Sequence, residues 1–352
     1  MPSGLLRCCG LLVVALALAA APAAAAPTPA GFFGIVPQGP LSARDLTRMD
    51  GVVGTLRVPL YWSESERIPG EYDLAGFGRI VGEAAARGIQ VLPFVYGTPA
   101  WLEPEAARPP LDSARGRAAW AAFLRVLVDR YGPRGTFWRD WRGRRVPIRR
   151  WQVWNEPNFV LFWRPRPSPR GYARLLGIAA RAIRSRDPGA RIVAAGVAPV
   201  GAGTMPWVFL RRLYRVPGVR RDFDLAALHP YSSTVARLRA QIELTRAAMA
   251  SGGDAGKPLL VSELGVASDG VIPSAFVRGL NGQASYLRGA FSLLLQERRR
   301  WRIAGVDWFT WQDATGPDPH CSFCQGAGLL DAEGRPKPAW AVFRRFADGA
   351  VR

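Results

Sequence analysis

The chain has 352 residues, a net charge of +20 and 49% hydrophobic residues, enough for a large core, which excludes a disordered or fibrous chain. Only Lys257 and Lys337 are lysines, so 45 of the 47 basic residues are arginine, spread along the whole sequence. No nucleic-acid motif accompanies that charge, so a coding bias on solvated helix faces accounts for it better than a nucleic-acid partner. The Arg142 to Arg150 and Arg298-Arg299-Arg300 runs remain compatible with an acidic polysaccharide.

Residues 1–26 read as an export leader. Arg7 supplies the positive start, Leu11 to Leu18 the apolar centre, and an alanine-rich run to Ala26 the cleavage site. The apolar run is short and soon followed by Pro22 and Pro27, which argues against a membrane span, an uncleaved anchor being the alternative. Cys8 and Cys9 precede the apolar centre and so make no lipoprotein site. The expectation is a secreted or cell-envelope protein whose mature part, residues 27–352, is one domain.

That part alternates two kinds of segment. Strand-like runs are Phe32 to Val36, Gly54 to Val58, Gln90 to Val95, Arg150 to Trp154, Arg191 to Gly196, Phe223 to Leu228, Pro258 to Ser262 and Ala304 to Thr310. Helix-like stretches are Ser42 to Met49, Leu74 to Arg87, Ser113 to Tyr131, Pro169 to Arg186, Met205 to Tyr214, Thr234 to Ala250, Asn281 to Arg300 and Pro338 to Phe346. Eight of each predict an α/β fold, a single-domain (β/α)8 TIM barrel. A doubly wound open sheet would need a glycine-rich phosphate loop after an early strand, and there is none.

A barrel carries its chemistry at the C-terminal ends of its strands. The second strand holds Arg57, an expensive residue in an apolar run unless it pairs with a carboxylate. The third is followed by Tyr96 and Trp101, which either stack on a ligand or belong to the core. The fourth, Arg149-Arg150-Trp151-Gln152-Val153-Trp154-Asn155-Glu156-Pro157-Asn158, stops at a proline that cannot continue a strand, so Glu156 stands at its tip beside Asn155. The sixth delivers His229-Pro230-Tyr231, the seventh Ser262-Glu263-Leu264-Gly265, and the eighth ends near Trp311. Cys321 and Cys324 form a small-loop disulfide in an exported chain, or join His320 in a metal site that lacks an evident fourth ligand.

Trp-Asn-Glu-Pro-Asn resembles the fourth-strand signature of clan A glycoside hydrolases, and Ser-Glu-Leu-Gly is similar to their nucleophile motif, at the required three-strand offset. Gly-Thr-Pro-Ala-Trp (97–101) is similar to families 39 and 42; family 39 is the nearest by motif, with 5 and 42 behind. The resemblance implies a retaining glycosidase that cleaves β-glycosidic bonds of a polysaccharide or oligosaccharide, Glu156 as acid/base and Glu263 as nucleophile. It further implies substrate contacts from Asn155, Arg57, His229, Tyr231, Trp311, Tyr96 and Trp101, with His229 and Tyr231 touching the nucleophile and Trp311 stacking on sugar. Neither metal nor cofactor is called for, and a monomer without nucleic-acid partners is expected. The alternative is a catalytically inactive barrel that binds cell-wall or anionic polysaccharide.

Overall fold

The computed structural model describes residues 28–199, 203–270, 274–316, 321 and 323–350. The expected leader and His320 lie outside the described residues. Eight parallel strands, β1 (Phe33–Val36), β2 (Thr55–Tyr61), β3 (Gln90–Tyr96), β4 (Arg150–Val153), β5 (Arg191–Val197), β6 (Leu225–Leu228), β7 (Leu259–Leu264) and β8 (Ile303–Phe309), close into a barrel in sequence order. The connecting helices are α1 (Ala43–Met49), α2 (Trp62–Ser65), α3 (Ala75–Ala86), α4 (Ala114–Tyr131), α5 (Pro169–Arg186), α6 (Pro206–Tyr214), α7 (Val235–Ser251), α8 (Gly279–Gln296), α9 (Arg298–Trp301) and α10 (Pro338–Ala347). The (β/α)8 barrel expected from the sequence is therefore the fold. No helix among the described residues is long and apolar enough to cross a membrane.

Side-chain alternation along each strand divides the interior. One set of residues faces outward onto the helices, as Leu56, Val58 and Leu60 do from β2 and Trp151 and Val153 from β4. The other set points into the barrel. Leu92, Val193, Leu225, Ala227 and Leu260 make a small apolar layer there, while Arg57, Gln152 and Asp307 are buried polar residues on strands of the same barrel. Burying these groups is costly unless they pair with one another, and Arg57 with Gln152 does so.

Every strand shifts from expectation at one end or both; β7, for example, runs on to Leu264 and so contains Glu263. Two of the shifts have a plain local cause. β2 runs through Pro59 to Tyr61, because its pairing with β1 ends at Ile35–Leu56 while its pairing with β3 continues to Tyr61–Tyr96. Proline's missing donor is thus tolerated where one side of the strand has lost its neighbour. β4 ends at Val153, one residue early, since Trp154 adopts a left-handed φ of 72° that no strand accommodates.

Candidate active site

Glu156 follows that turn and is itself left-handed, with φ 35°. Non-glycine residues in this region cost of order 1–3 kcal/mol each and persist only where neighbours hold them. The neighbours here are Val95, whose carbonyl accepts from Trp154 N–H at 2.8 Å, Gly196, whose carbonyl accepts from Glu156 N–H at 3.1 Å, and Phe162, whose carbonyl accepts from the Trp154 indole at 2.7 Å. The result aims the Glu156 carboxyl inward.

Glu263 comes from β7, and Arg57 reaches it from β2. The Arg57 guanidinium is fully buried and divides its donors three ways. It donates to Glu263 Oε1 at 2.6 Å, to Asn155 Oδ1 at 2.9 Å and to Gln152 Oε1 at 2.9 Å, with its plane 4.1 Å from the Phe94 ring centre. The sequence expectation that this cation needs a carboxylate is met by Glu263. Because Asn155 offers its oxygen to Arg57, its amide NH2 end is left for another acceptor. Tyr231 O–H donates to the second oxygen, Glu263 Oε2, at 2.7 Å.

His229 is buried between the two acids. Its Nδ1 lies 2.7 Å from Glu156 Oε1 and 3.5 Å from Glu263 Oε2. The hydrogen bond therefore goes to Glu156, and the expected His229 contact with the nucleophile candidate is the longer, secondary one. Its Nε2 has no polar partner, because Gly196 of β5 lies against that edge of the ring; a Cβ at 196 would fall inside the imidazole. Nδ1 is thus the ring's hydrogen-bonding nitrogen. One oxygen from each of Glu156 and Glu263 and a ring nitrogen of His229 all lie within 4.8 Å of one another. Three such groups could in principle hold a cation, but Arg57 already occupies one Glu263 oxygen with a positive charge.

The two carboxyls differ electrostatically although both are buried, at 7% and 8% exposure. Burial raises the Glu156 pKa, and Glu263 beside it adds to the rise, so that His229 and Arg57 do not restore the ordinary value. Burial acts on Glu263 in the same direction. There, however, His229, Arg57 and the Tyr231 hydrogen bond together outweigh it and hold the pKa below the ordinary carboxylate range. Of the two, Glu263 therefore gives up its proton more readily and Glu156 holds its proton more tightly.

Aromatic residues flank the pair. On one side stand Tyr61, 39% exposed and close enough to feel the charges of Arg57 and Glu263, and Tyr96, edge-on to it at 6.3 Å. Tyr96 also packs edge-on against Trp154 and Phe162. Trp101 is farther out, donating its indole N–H to Glu66 O with the Arg115 guanidinium over its ring. On the other side Phe309, at the end of β8, meets Tyr231 edge-on at 6.1 Å, and Phe323 meets it at 5.2 Å while stacking on Phe276 at 5.0 Å. Cys321 and Cys324 are disulfide-bonded, so they hold the loop that carries Phe323.

Trp311 does not line the site. It is 2% exposed, its indole N–H donates to Asp45 Oδ1 at 2.9 Å, and Trp340 stands perpendicular against it. Beyond Phe309 the chain leaves the sheet, and the Trp311 carbonyl accepts from Leu329 and Leu330 N–H at 2.9 Å each. Strand alternation no longer governs the side chain there, and the aromatic at the inner end of β8 is Phe309. Tyr61 and Phe309 stand at strand ends in the sequence but receive no site role from it, and Phe323 receives none either. Parity with Arg57 marks Tyr61 and parity with Asp307 marks Phe309, but nothing in the sequence places Phe323.

No protein-family profile matches the chain. Among curated proteins, a β-xylosidase of Geobacillus stearothermophilus is 28% identical over 127 residues, which is 36% of this chain and 22% of that enzyme. The likeness read from the motifs returns in the solved structures. A GH39 β-xylosidase from Caulobacter crescentus superposes with a TM-score of 0.62 at 20% identity, covering 93% of this chain and 73% of the other. A GH5_18 enzyme from Bifidobacterium longum, in complex with Manb1-4GlcNAc, superposes with a TM-score of 0.67 at 16% identity, covering 90% and 78%. The chain thus shares the barrel of these GH39 and GH5 enzymes, and its two glutamate motifs resemble those of clan A.

Proposed function

We propose that the chain is a retaining β-glycosidase, exported by its leader and acting as a monomer by double displacement on an oligosaccharide or polysaccharide. One observation carries the reading: two buried carboxyls with oxygens within 4.8 Å of each other whose pKa values move in opposite directions. Such close oxygens support direct attack by a carboxylate, for which the carboxyls lie about 5–5.5 Å apart, over inversion, for which they lie about 6.5–9.5 Å apart to admit a water.

In the first step Glu263 attacks the anomeric carbon, the glycosidic C–O bond breaks, and Glu156 gives its proton to the departing oxygen. Arg57 and Tyr231 hold the attacking carboxylate ionised and aligned. The free NH2 of Asn155 donates to the sugar 2-hydroxyl, an interaction that strengthens as positive charge develops on the ring. In the second step Glu156, now a carboxylate, takes a proton from water, the water oxygen bonds to the anomeric carbon, and Glu263 leaves. His229, bonded to Glu156 through Nδ1, keeps that carboxyl in place during both transfers. Tyr61 and Tyr96 on one wall and Phe309 on the other offer surfaces for sugar faces.

β-Xylosides and β-mannosides are the first substrates to try, since structural neighbours include β-xylosidases and an exo-β-1,4-mannosidase. The test is turnover of a panel of aryl β-glycosides by the chain and by Glu263→Ala. Loss in the variant, with azide restoring turnover as an inverted glycosyl azide, is the expected result. Equal turnover by both proteins would overturn the mechanism, and absence of turnover on every β-glycoside would favour a binding barrel.

A further inference from the structure

The arginine run from residue 142 to 150 has no part in this chemistry, and the fold gives it a location. At the end of the barrel away from the glutamates, the N-terminal ends of β1 to β4 surround an open cavity of about 640 Å³. Arg87, Arg144, Arg145, Arg149 and Arg150 line it, and no aspartate or glutamate does among the described residues. Arg87 is offset by Glu83 at 2.7 Å. Arg144, Arg145 and Arg149 are exposed and form no ion pair with a described carboxylate. Arg150 is half-buried and fixed by neutral acceptors, Gln90 Oε1 at 2.7 Å and Thr55 Oγ1 at 3.4 Å, which orient the guanidinium without cancelling its charge. Asp307 attracts it from inside the barrel. Residues 1–27 contain no acid that could supply the missing charge.

Gathered cations repel one another until an anion joins them, and guanidinium forks match oxyanions two oxygens at a time. The volume lies in the range of small-ligand sites, about 300–1,000 Å³. Between the arginines, Val52, Val146 and Pro147 present half-buried apolar surface. A free phosphate has no use for such surface, whereas a carboxylated sugar has C–H faces to lay on it. The rings in the lining, Phe32 and Phe33, are buried and offer no plane for stacking a nucleic-acid base.

We infer that this basin is a carbohydrate site, one that binds a short stretch of acidic polysaccharide through its sugar carboxylates. It sits at the far end of the barrel from Glu156 and Glu263 and does not depend on the glycosidase reading. The protein would hold an anionic polymer with one end while the other end is free to act.

Calorimetric titration with an oligogalacturonate, a neutral oligosaccharide of equal length and tripolyphosphate tests the site. The comparison uses the unaltered chain, Arg144→Ala/Arg145→Ala, and Arg211→Ala/Arg212→Ala, which removes equal charge from exposed positions on α6. The expected result is salt-sensitive binding of the oligogalacturonate and none of the neutral sugar. Affinity should fall about tenfold or more in the first variant and less than about twofold in the second. It should survive Glu263→Ala. Equal losses in both arginine variants, no loss in the first, or tighter binding of tripolyphosphate would each overturn the proposal. Because all four altered arginines are exposed, matched melting curves are expected to separate binding from folding.

Discussion

The two ends of the barrel treat charge in opposite ways. At the C-terminal end Arg57 is fully buried and each of its three directions meets an acceptor, one of them the Glu263 carboxylate. At the N-terminal end Arg144, Arg145 and Arg149 stand in solvent with no acid beside them. The first arrangement spends its cation inside the protein, holding one carboxyl ionised, so that removing it damages the fold and the site together. The second leaves its cations available to a partner, so that removing them costs binding alone. Buried position makes the difference: a charge that water cannot reach must be answered within the structure, while an exposed one need not be.

The largest effect expected at the proposed catalytic end comes from Glu263→Ala, which should lower kcat by a factor on the order of 10⁴–10⁶ and also lower the melting temperature, since the buried Arg57 loses its carboxylate. Arg57→Met comes next. It leaves Glu263 and Gln152 buried without their partner, which should cost about 3–5 kcal/mol in urea unfolding at neutral pH. The same change removes a cation that keeps Glu263 ionised. The proposed double displacement needs Glu263 charged and Glu156 protonated, so on that reading the acid limb of kcat/KM belongs to Glu263 and should move to higher pH. An unmoved acid limb in a folded Arg57→Met protein would break the link between that cation and catalysis.

Gly196→Ala should lower kcat about 10²-fold, by pushing His229 off Glu156. His229 draws the Glu156 pKa downward, against burial. Displacing it should therefore shift the alkaline limb upward, and a limb that stays in place would show that the imidazole is not what sets it. The smallest effect is one of stability. Burial raises the Asp307 pKa from 3.8 to about 7, more than Arg57 and Arg150 lower it. The folded protein therefore prefers the protonated acid, and stability declines as pH rises from 3.8 toward about 7, then levels off. The decline should be on the order of 2–4 kcal/mol and absent in Asp307→Asn, as unfolding across pH 4–8 would record.

Much of this site could be read from local punctuation. Pro157 and Gly265 each mark the point where an apolar run gives way to a turn, and the glutamates stand directly before or near them. The run of eight strands followed from apolar segments whose lengths suit a buried parallel sheet. What the sequence concealed depends on distant contacts. Trp311 looked like a site aromatic because it follows a strand, yet Asp45 and Trp340 hold it in the core. His229 does lie 3.5 Å from Glu263, but its hydrogen bond goes to Glu156, because β5 supplies a glycine at the place that lets the ring settle there. The arginine run looked like compositional bias, and only the closing of the barrel shows that Arg87 joins it around one basin.

The disulfide has a consequence that its size suggests. Cys321 and Cys324 are three residues apart, so the ring they close is small and restrains the unfolded chain by only about 2 kcal/mol in the chain-entropy view, against nearly 5 for a hundred-residue loop. Its effect falls mainly on Phe323, carried between the two sulfurs and pressed against Tyr231, the residue that donates to Glu263. Reduction should thus leave the barrel melting almost as before while loosening one wall of the site. In such a protein, heat resistance and catalytic readiness are separate properties, and a sample can keep the first after losing the second.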